Sequence, residues 1–88
     1  MIEREIEIVN KLGIHARPST LLVQKASDFQ SSIHLIKDGA DADIKSIMSI
    51  MMLAASFGTV VTLKVEGPDE EAAADAIEEL INSKFGEE

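Results

Sequence analysis

Residues 59–66 read Thr-Val-Val-Thr-Leu-Lys-Val-Glu, and this alternation of apolar and polar side chains is the clearest strand pattern in the chain. Successive side chains of a strand point to opposite faces. Val61, Leu63 and Val65 therefore share one face, which predicts a strand with one side in the core and the other toward solvent. Gly67-Pro68 follows directly and ends the strand.

Three further segments have strand patterns, and all of them precede this one in the chain. Ile2 to Val9 alternates, with three isoleucines and Arg4 on one face and three glutamates on the other, which predicts a half-buried strand. Ile33 to Lys37 is a short strand, and Asp38-Gly39 is a two-residue hairpin sequence. The chain then returns as a weaker strand from Ala40 to Ile44. We expect this strand at the edge of the sheet, because its two aspartates suit an exposed position.

Three segments between and after the strands are predicted to be helices. The first runs from Ala16 to about Ser27. The second, Ile47 to about Ala55, begins after Ser46, a residue type that caps helix N-termini. The third runs from about Glu70 to Lys84 and has an apolar stripe at helical spacing. The predicted order is β-α-β-β-α-β-α, and one apolar face per strand implies a two-layer α+β domain with the sheet covered on one side.

The composition restricts the class of protein. The chain has 88 residues, which is the size of one domain, and we predict a single domain over residues 1–88. The net charge of −8 argues against nucleic acid as a partner. Cysteine is absent, which excludes disulfides and thiolate metal sites and fits a reducing cytoplasm. No group of acidic residues has metal-ligand spacing, so we expect neither a metal nor a cofactor.

The two ends of the chain carry no targeting or membrane signal. The first residues lack a basic region followed by an apolar one, so no signal peptide is expected. No apolar run approaches membrane-spanning length, so no membrane insertion is expected. We expect the last residues, Gly86-Glu87-Glu88, to be a frayed end. Nothing indicates a self-complementary interface, and we expect a monomer.

The chemistry is concentrated in residues 13–19, which read Gly-Ile-His-Ala-Arg-Pro-Ser. Proline is tolerated in the first turn of a helix, so Pro18 predicts a helix that begins near Ala16 with His15 at or near its N-cap. A helix start offers free N–H groups and the positive end of the dipole, which favour an anion. Arg17 adds a planar donor fork suited to phosphate. The pattern indicates reversible phosphorylation of His15.

The alternative interpretation of His15 is a capping or loop histidine without chemistry. Gly13 in the approach loop, Arg17 at the anion end and Pro18 at the helix start favour the functional interpretation. His34 lacks these neighbours, since it lies inside a strand, and we expect it to be a solvated sheet histidine.

A second candidate site begins at Ser46. A plain N-cap explains this serine, and a regulatory phosphate at the same place is compatible with the helix, because helix N-termini tolerate phosphoserine. A short helix cannot bury all the apolar residues that follow, so Ile47, Met48 and Met51 are expected to be at least partly exposed. Exposed methionine-rich surface is typical of protein-binding sites. The alternative is that a loop covers this helix and most of these side chains are core.

Two motifs carry a resemblance that extends from about residue 2 to residue 85. Residues 13–18 are similar to the active-site motif of the HPr family, the histidine-containing phosphocarrier proteins of the bacterial phosphoenolpyruvate-dependent sugar phosphotransferase system. Residues 45–48, Lys-Ser-Ile-Met, resemble the regulatory serine motif of that family. The resemblance implies a two-layer, open-faced β-sandwich in which a four-stranded antiparallel sheet carries three helices on one face.

The resemblance also implies roles for these residues. His15 would accept a phosphoryl group through Nδ1 from phosphorylated enzyme I and pass it to sugar-specific IIA components, while Arg17 would steady the group. Ser46 would be the site of an HPr kinase/phosphorylase where that enzyme exists, and a transcriptional regulator could recognise the product. The protein would be a cytoplasmic carrier and a covalent intermediate, not an enzyme. The docking surface shared by its partners would consist of Lys45, Ile47, Met48 and Met51.

Other functions remain open at this point. The chain could belong to the nitrogen-related phosphotransfer branch, whose members keep the same histidine motif. It could instead be a mainly regulatory binding module that works by protein contact. A small enzyme with His15 as general base is a third alternative, which is disfavoured because no second acid–base group lies near His15 in the sequence.

Overall fold

The computed structural model describes residues 1–87, and within them four strands and three α-helices follow one another in the predicted order. The last helix leads into a short 3₁₀ turn at the C-terminal end. The elements are β1 (Ile2–Glu7), α1 (Ala16–Ala26), β2 (Ser32–Lys37), β3 (Ala40–Asp43), α2 (Ile47–Leu53), β4 (Val60–Glu66), α3 (Glu70–Asn82) and the 3₁₀ turn Lys84–Gly86.

The four strands form one antiparallel sheet in the spatial order β1-β4-β2-β3. The strand that the sequence marks most clearly, β4, is central and pairs with both β1 and β2. Its Leu63 lies opposite Arg4 on one side and Leu35 on the other. The edge position predicted for β3 is confirmed. Asp38 and Gly39 both have positive φ (51° and 83°), as a two-residue hairpin of type I′ requires.

The core lies between the sheet and the three helices, as one apolar face per strand predicts. All three odd-numbered apolar residues of β4 are fully buried, whereas the glutamates of β1 are exposed on the opposite, open face of the sheet. The expected two-layer α+β architecture is therefore confirmed. The large side chains that are fully buried include Ile8, Leu22, Ile33, Leu35, Ile44, Ile50, Leu63, Ile77 and Ile81.

Arg4 is the polar residue on the core-facing side of β1, and it is tied to α3. Its Nη1 donates to Asp75 Oδ1 at 2.9 Å and to Glu78 Oε1 at 2.8 Å. These ion pairs let an arginine occupy the margin of the core, because the stem covers apolar surface while the guanidinium remains paired.

Two helices end earlier than the sequence pattern predicts. α2 ends at Leu53, because Ala54 adopts the left-handed conformation (φ 54°, ψ 43°) and its N–H donates to Met51 O. α3 ends at Asn82, so the expected place of Lys84 in its last turn is wrong. Lys84 instead has a positive φ of 60° in the 3₁₀ turn, which brings Phe85 into the core with 2% of its surface exposed. Within residues 1–87, no helix is long and apolar enough to cross a membrane.

Asp69 stands at the N-cap of α3, but its carboxylate joins two elements instead of capping the helix. It accepts hydrogen bonds from the N–H groups of Gln30 and Ser31 at 2.9 Å and from the Ser31 hydroxyl. These hydrogen bonds lower the pKa of Asp69 below its ordinary value. The Ser31 hydroxyl has the largest effect, and the Gln30 N–H has the next largest. The start of β2 is thereby held against the start of α3.

Acid is expected to weaken the fold through this carboxylate. Because the pKa of Asp69 is lower in the folded state, its contribution is fully present above the unfolded pKa of about 4 and is lost as the pH falls through the folded pKa. In urea unfolding at several pH values, Asp69→Asn should be less stable than wild type at pH 7, and the difference should shrink below about pH 4. A constant difference across this range would contradict the assignment.

Candidate functional site

His15 occupies the N-cap of α1, as the sequence predicts. Its backbone is extended (φ −94°, ψ −163°), and its carbonyl accepts the first helical hydrogen bond from Ser19 N at 3.0 Å. Its imidazole does not cap the helix, so the interpretation of His15 as a capping histidine is not supported. The side chain is 38% exposed, which leaves the ring accessible to a reacting group.

The loop before His15 is held in place by backbone contacts with the segment that follows α2. Ile14 N donates to Ala55 O at 2.9 Å. Gly13 has a positive φ of 69°, and a Cβ at this position would lie 2.7 Å from Ala55 O and 2.9 Å from Ser56 Cα. Only glycine fits such an approach. His15 is therefore positioned by both α1 and the end of α2.

Glu87 reaches back from the C-terminal end to His15. Its Oε2 lies 2.9 Å from His15 Nε2, and its Oε1 accepts from Asn10 Nδ2 at 3.1 Å. The expectation of a frayed end is thus wrong for Gly86 and Glu87, because burial of Phe85 anchors this segment; Glu88 lies outside the described residues. Neither Glu87 nor Asn10 was singled out from the sequence, where no local pattern links them to His15.

An open groove beside the ring, the His15 groove, is lined by Lys11, Leu12, His15, Arg17 and Glu87. Arg17 lies in the first turn of α1 and is exposed, as its predicted role requires. The first turn of α1 contains no acidic residue that would neutralise the positive helix end. Two cationic side chains and the start of a helix therefore lie beside one groove with the imidazole, which favours a phosphate-sized anion there, and the Glu87 carboxylate lines the same groove.

Ser46 caps α2, and its Oγ accepts a hydrogen bond from Ser49 N at 3.3 Å. The predicted N-cap is confirmed, whereas phosphorylation of this serine stays a prediction. Lys45, the preceding residue, is exposed, and its Nζ donates to Phe29 O at 2.9 Å.

The outer side of α2 is an exposed apolar surface. The exposure expected for Ile47, Met48 and Met51 is confirmed, with 43%, 70% and 45% of their surfaces accessible. Met52, at 78%, extends this surface, and its exposure was not among those predicted from the sequence. We call these four residues the α2 patch. Whether partners dock on it stays a prediction.

His34 provides a contrast with His15. It lies on the open face of the sheet, where its Nδ1 is 2.6 Å from Asp41 Oδ1. The sheet location expected for His34 is confirmed, and its contact with the carboxylate of Asp41 on β3 is not evident from the sequence alone. Among residues 1–87, no group of histidine and acidic side chains is arranged to hold a metal ion.

Comparison with known proteins gives concordant results. A family model described as the PTS HPr component phosphorylation site matches residues 2–83. Phosphocarrier protein HPr of Cupriavidus necator is 49% identical over 87 residues, which is 99% of this chain and 98% of that protein. The crystal structure of HPr-C-His from Thermoanaerobacter tengcongensis is 56% identical with a TM-score of 0.96, and the match covers 100% of this chain and 99% of that chain.

A further solved structure bears on assembly. The crystal structure of an HPr dimer from Thermoanaerobacter tengcongensis is 55% identical with a TM-score of 0.79, and the match covers 99% of this chain and all of that chain. Our expectation of a monomer therefore stays a prediction.

The family resemblance inferred from residues 13–18 and 45–48 is confirmed over nearly the whole chain. This chain belongs to the HPr family of phosphocarrier proteins.

Proposed function

We propose that this protein carries a phosphoryl group on His15, which it receives from phosphorylated enzyme I and passes to sugar-specific IIA components. The observation that carries this proposal is the placement of a partly exposed imidazole at the start of α1, in one groove with Arg17. The protein is then a covalent intermediate of a cytoplasmic relay and works without a cofactor.

Phosphoryl transfer requires the carrier mainly to position the reacting nitrogen and to compensate the negative charge of the transferred group. A neutral ring nitrogen of His15 attacks the phosphorus atom, and the bond from phosphorus to the donor breaks with its electron pair. Arg17, which lines the same groove, and the free N–H groups at the start of α1 compensate the charge on the oxygens of the transferred group. Both lie at the surface, so they stabilise the phosphoryl group without enclosing it, and the next acceptor can reach it.

The partners of a carrier must reach His15 in turn, so one surface has to serve them all. The α2 patch is apolar, exposed and joined to the His15 loop through the hydrogen bond from Ile14 to Ala55. Methionine side chains adapt to different partner surfaces. We therefore assign docking to Ile47, Met48 and Met51, with Lys45 at the margin, in small and transient interfaces.

Ser46 lies at the start of α2, where a phosphate would add negative charge beside the α2 patch. We assign it as the site of an HPr kinase/phosphorylase, whose product a transcriptional regulator recognises. The chain already has a net charge of −8. Further negative charge at the docking surface opposes any partner that approaches with acidic groups or buries this margin.

Ser46→Asp is expected to raise the KM of enzyme I for this protein about threefold to tenfold, with kcat little changed. Aspartate caps helices as well as serine does, so stability should be retained. Initial rates of phosphorylation at varied carrier concentrations measure this effect. Gln24→Glu is the matched control, because it adds one negative charge to the exposed surface of α1 near Leu80. Equal KM values for Ser46→Asp and wild type would contradict the regulatory role.

The proposed function is tested by intact-mass analysis after incubation with phosphoenolpyruvate and enzyme I. The expected result is a single acid-labile phosphoryl group. An unchanged mass, with a folded protein and an active enzyme I, would favour the nitrogen-related branch or a regulator that works by contact alone. The exposure of Met48 and Met52 is the observation that favours the second of these.

A further inference from the structure

Glu87 makes a specific contact with the ring of His15. The carboxylate is largely covered, with 17% of the side chain exposed, and its Oε2 lies 2.9 Å from His15 Nε2. An ionised carboxylate can only accept hydrogen bonds, so Nε2 must carry the proton. In a neutral imidazole the other nitrogen, Nδ1, then has the lone pair.

The position of Glu87 is itself determined by a buried residue. Asn10 is fully buried, and its Nδ2 donates to Gly13 O at 2.6 Å and to Glu87 Oε1 at 3.1 Å. Both neighbours are acceptors, which fixes the orientation of the amide. One carboxylate oxygen of Glu87 is held by Asn10, and the other faces His15. The orientation of the His15 ring therefore depends on two successive contacts, from buried Asn10 to Glu87 and from Glu87 to His15.

We propose that Glu87 is a positioning residue for phosphoryl transfer, which holds His15 in the tautomer with the proton on Nε2 and the lone pair on Nδ1. The inference rests on the proposed function of His15 as phosphoryl acceptor and adds to it the residue that selects the attacking atom. Glu87 acts through the ring and does not touch the phosphoryl group.

The Nδ1 lone pair forms the bond to phosphorus, and the electron pair of the breaking bond leaves with the donor. The proton on Nε2 stays in place, so the phosphorylated ring carries a positive charge. The carboxylate of Glu87, 2.9 Å from that proton, compensates this charge. In the reverse direction, the ring leaves as a neutral imidazole that Glu87 already orients, which keeps the group transferable.

Nuclear magnetic resonance of the imidazole nitrogens tests the proposal, and this measurement needs no phosphoryl donor. In wild type near pH 8, long-range ¹H–¹⁵N spectra should show His15 with a protonated Nε2 and an unprotonated Nδ1. Glu87→Ala should move both ¹⁵N shifts toward the average of two exchanging tautomers. Glu87→Gln keeps an acceptor oxygen and should retain most of the wild-type signature. Asp41→Asn is the matched control, because it alters the similar contact at His34 and should leave His15 unchanged.

Phosphorylation rates supply the second measurement. Glu87→Ala should slow phosphorylation by phosphoenolpyruvate and enzyme I about tenfold, with partial rescue by Glu87→Gln. Unchanged His15 nitrogen shifts in Glu87→Ala would overturn the proposal, as would wild-type transfer rates in that variant. A wild-type protein that is never phosphorylated would overturn the proposed function instead, and the nitrogen shifts would still decide whether Glu87 selects the tautomer.

Discussion

His15→Ala is expected to abolish phosphorylation by phosphoenolpyruvate and enzyme I. Alanine removes the attacking nitrogen, and no neighbour replaces it, because the groove beside the ring is otherwise lined by cations, an apolar residue and a carboxylate. The fold should be retained, since the imidazole makes no capping hydrogen bond to α1 and 38% of it is exposed. The measurement is the intact mass of the protein before and after incubation, together with its thermal unfolding curve.

His34→Ala is the matched control for this prediction. His34 also contacts a carboxylate, but it lies on the open face of the sheet and not at the start of a helix. The His34→Ala variant should therefore be phosphorylated on His15 like the wild-type protein. An acid-labile phosphoryl group on His15→Ala, or its loss from His34→Ala, would contradict the assignment of His15 as the acceptor.

Most of the fold could be predicted from local patterns, because the residues of a strand and of its turn indicate its buried face and its boundaries. Alternation in β1 and β4 identifies the buried face, and Asp38-Gly39 specifies a hairpin whose two positive φ angles are then observed. The helix start at Ala16 could also be predicted, since Pro18 and the N-cap position restrict the backbone there. These signals lie within a few residues of the structure they determine.

The features that escaped prediction depend on contacts between distant residues. Glu87 is 72 residues from His15 and reads locally as part of an acidic end. What holds it there is the burial of Phe85 and the hydrogen bond from Asn10, neither of which a local pattern reveals. The early end of α2 has the same origin. Ala54 adopts a left-handed conformation that its residue type does not favour, and the next carbonyl then meets Ile14 N.

Gly13→Ala is expected to destabilise the protein by about 3 kcal/mol. A non-glycine residue at positive φ costs about 1 kcal/mol, and forcing a methyl group into a packed site costs about 2 kcal/mol more. The obstacles are Ala55 O at 2.7 Å and Ser56 Cα at 2.9 Å, which are backbone atoms and cannot rotate away. For a domain of this size, the melting temperature should fall by roughly 15 °C.

Gly58→Ala separates the cost of the positive φ angle from the cost of the steric clash in the destabilisation of Gly13→Ala. Gly58 has a positive φ of 85°, but a Cβ there would meet nothing within 4 Å, so it should lose only about 1 kcal/mol. Equal losses in the two variants would contradict the steric account of Gly13.

Relief of the clash in Gly13→Ala must move the His15 loop away from Ala55 and strain the hydrogen bond from Ile14. Because that bond joins the loop to the end of α2, the folded fraction of Gly13→Ala should also be phosphorylated more slowly, whereas Gly58→Ala should match wild type.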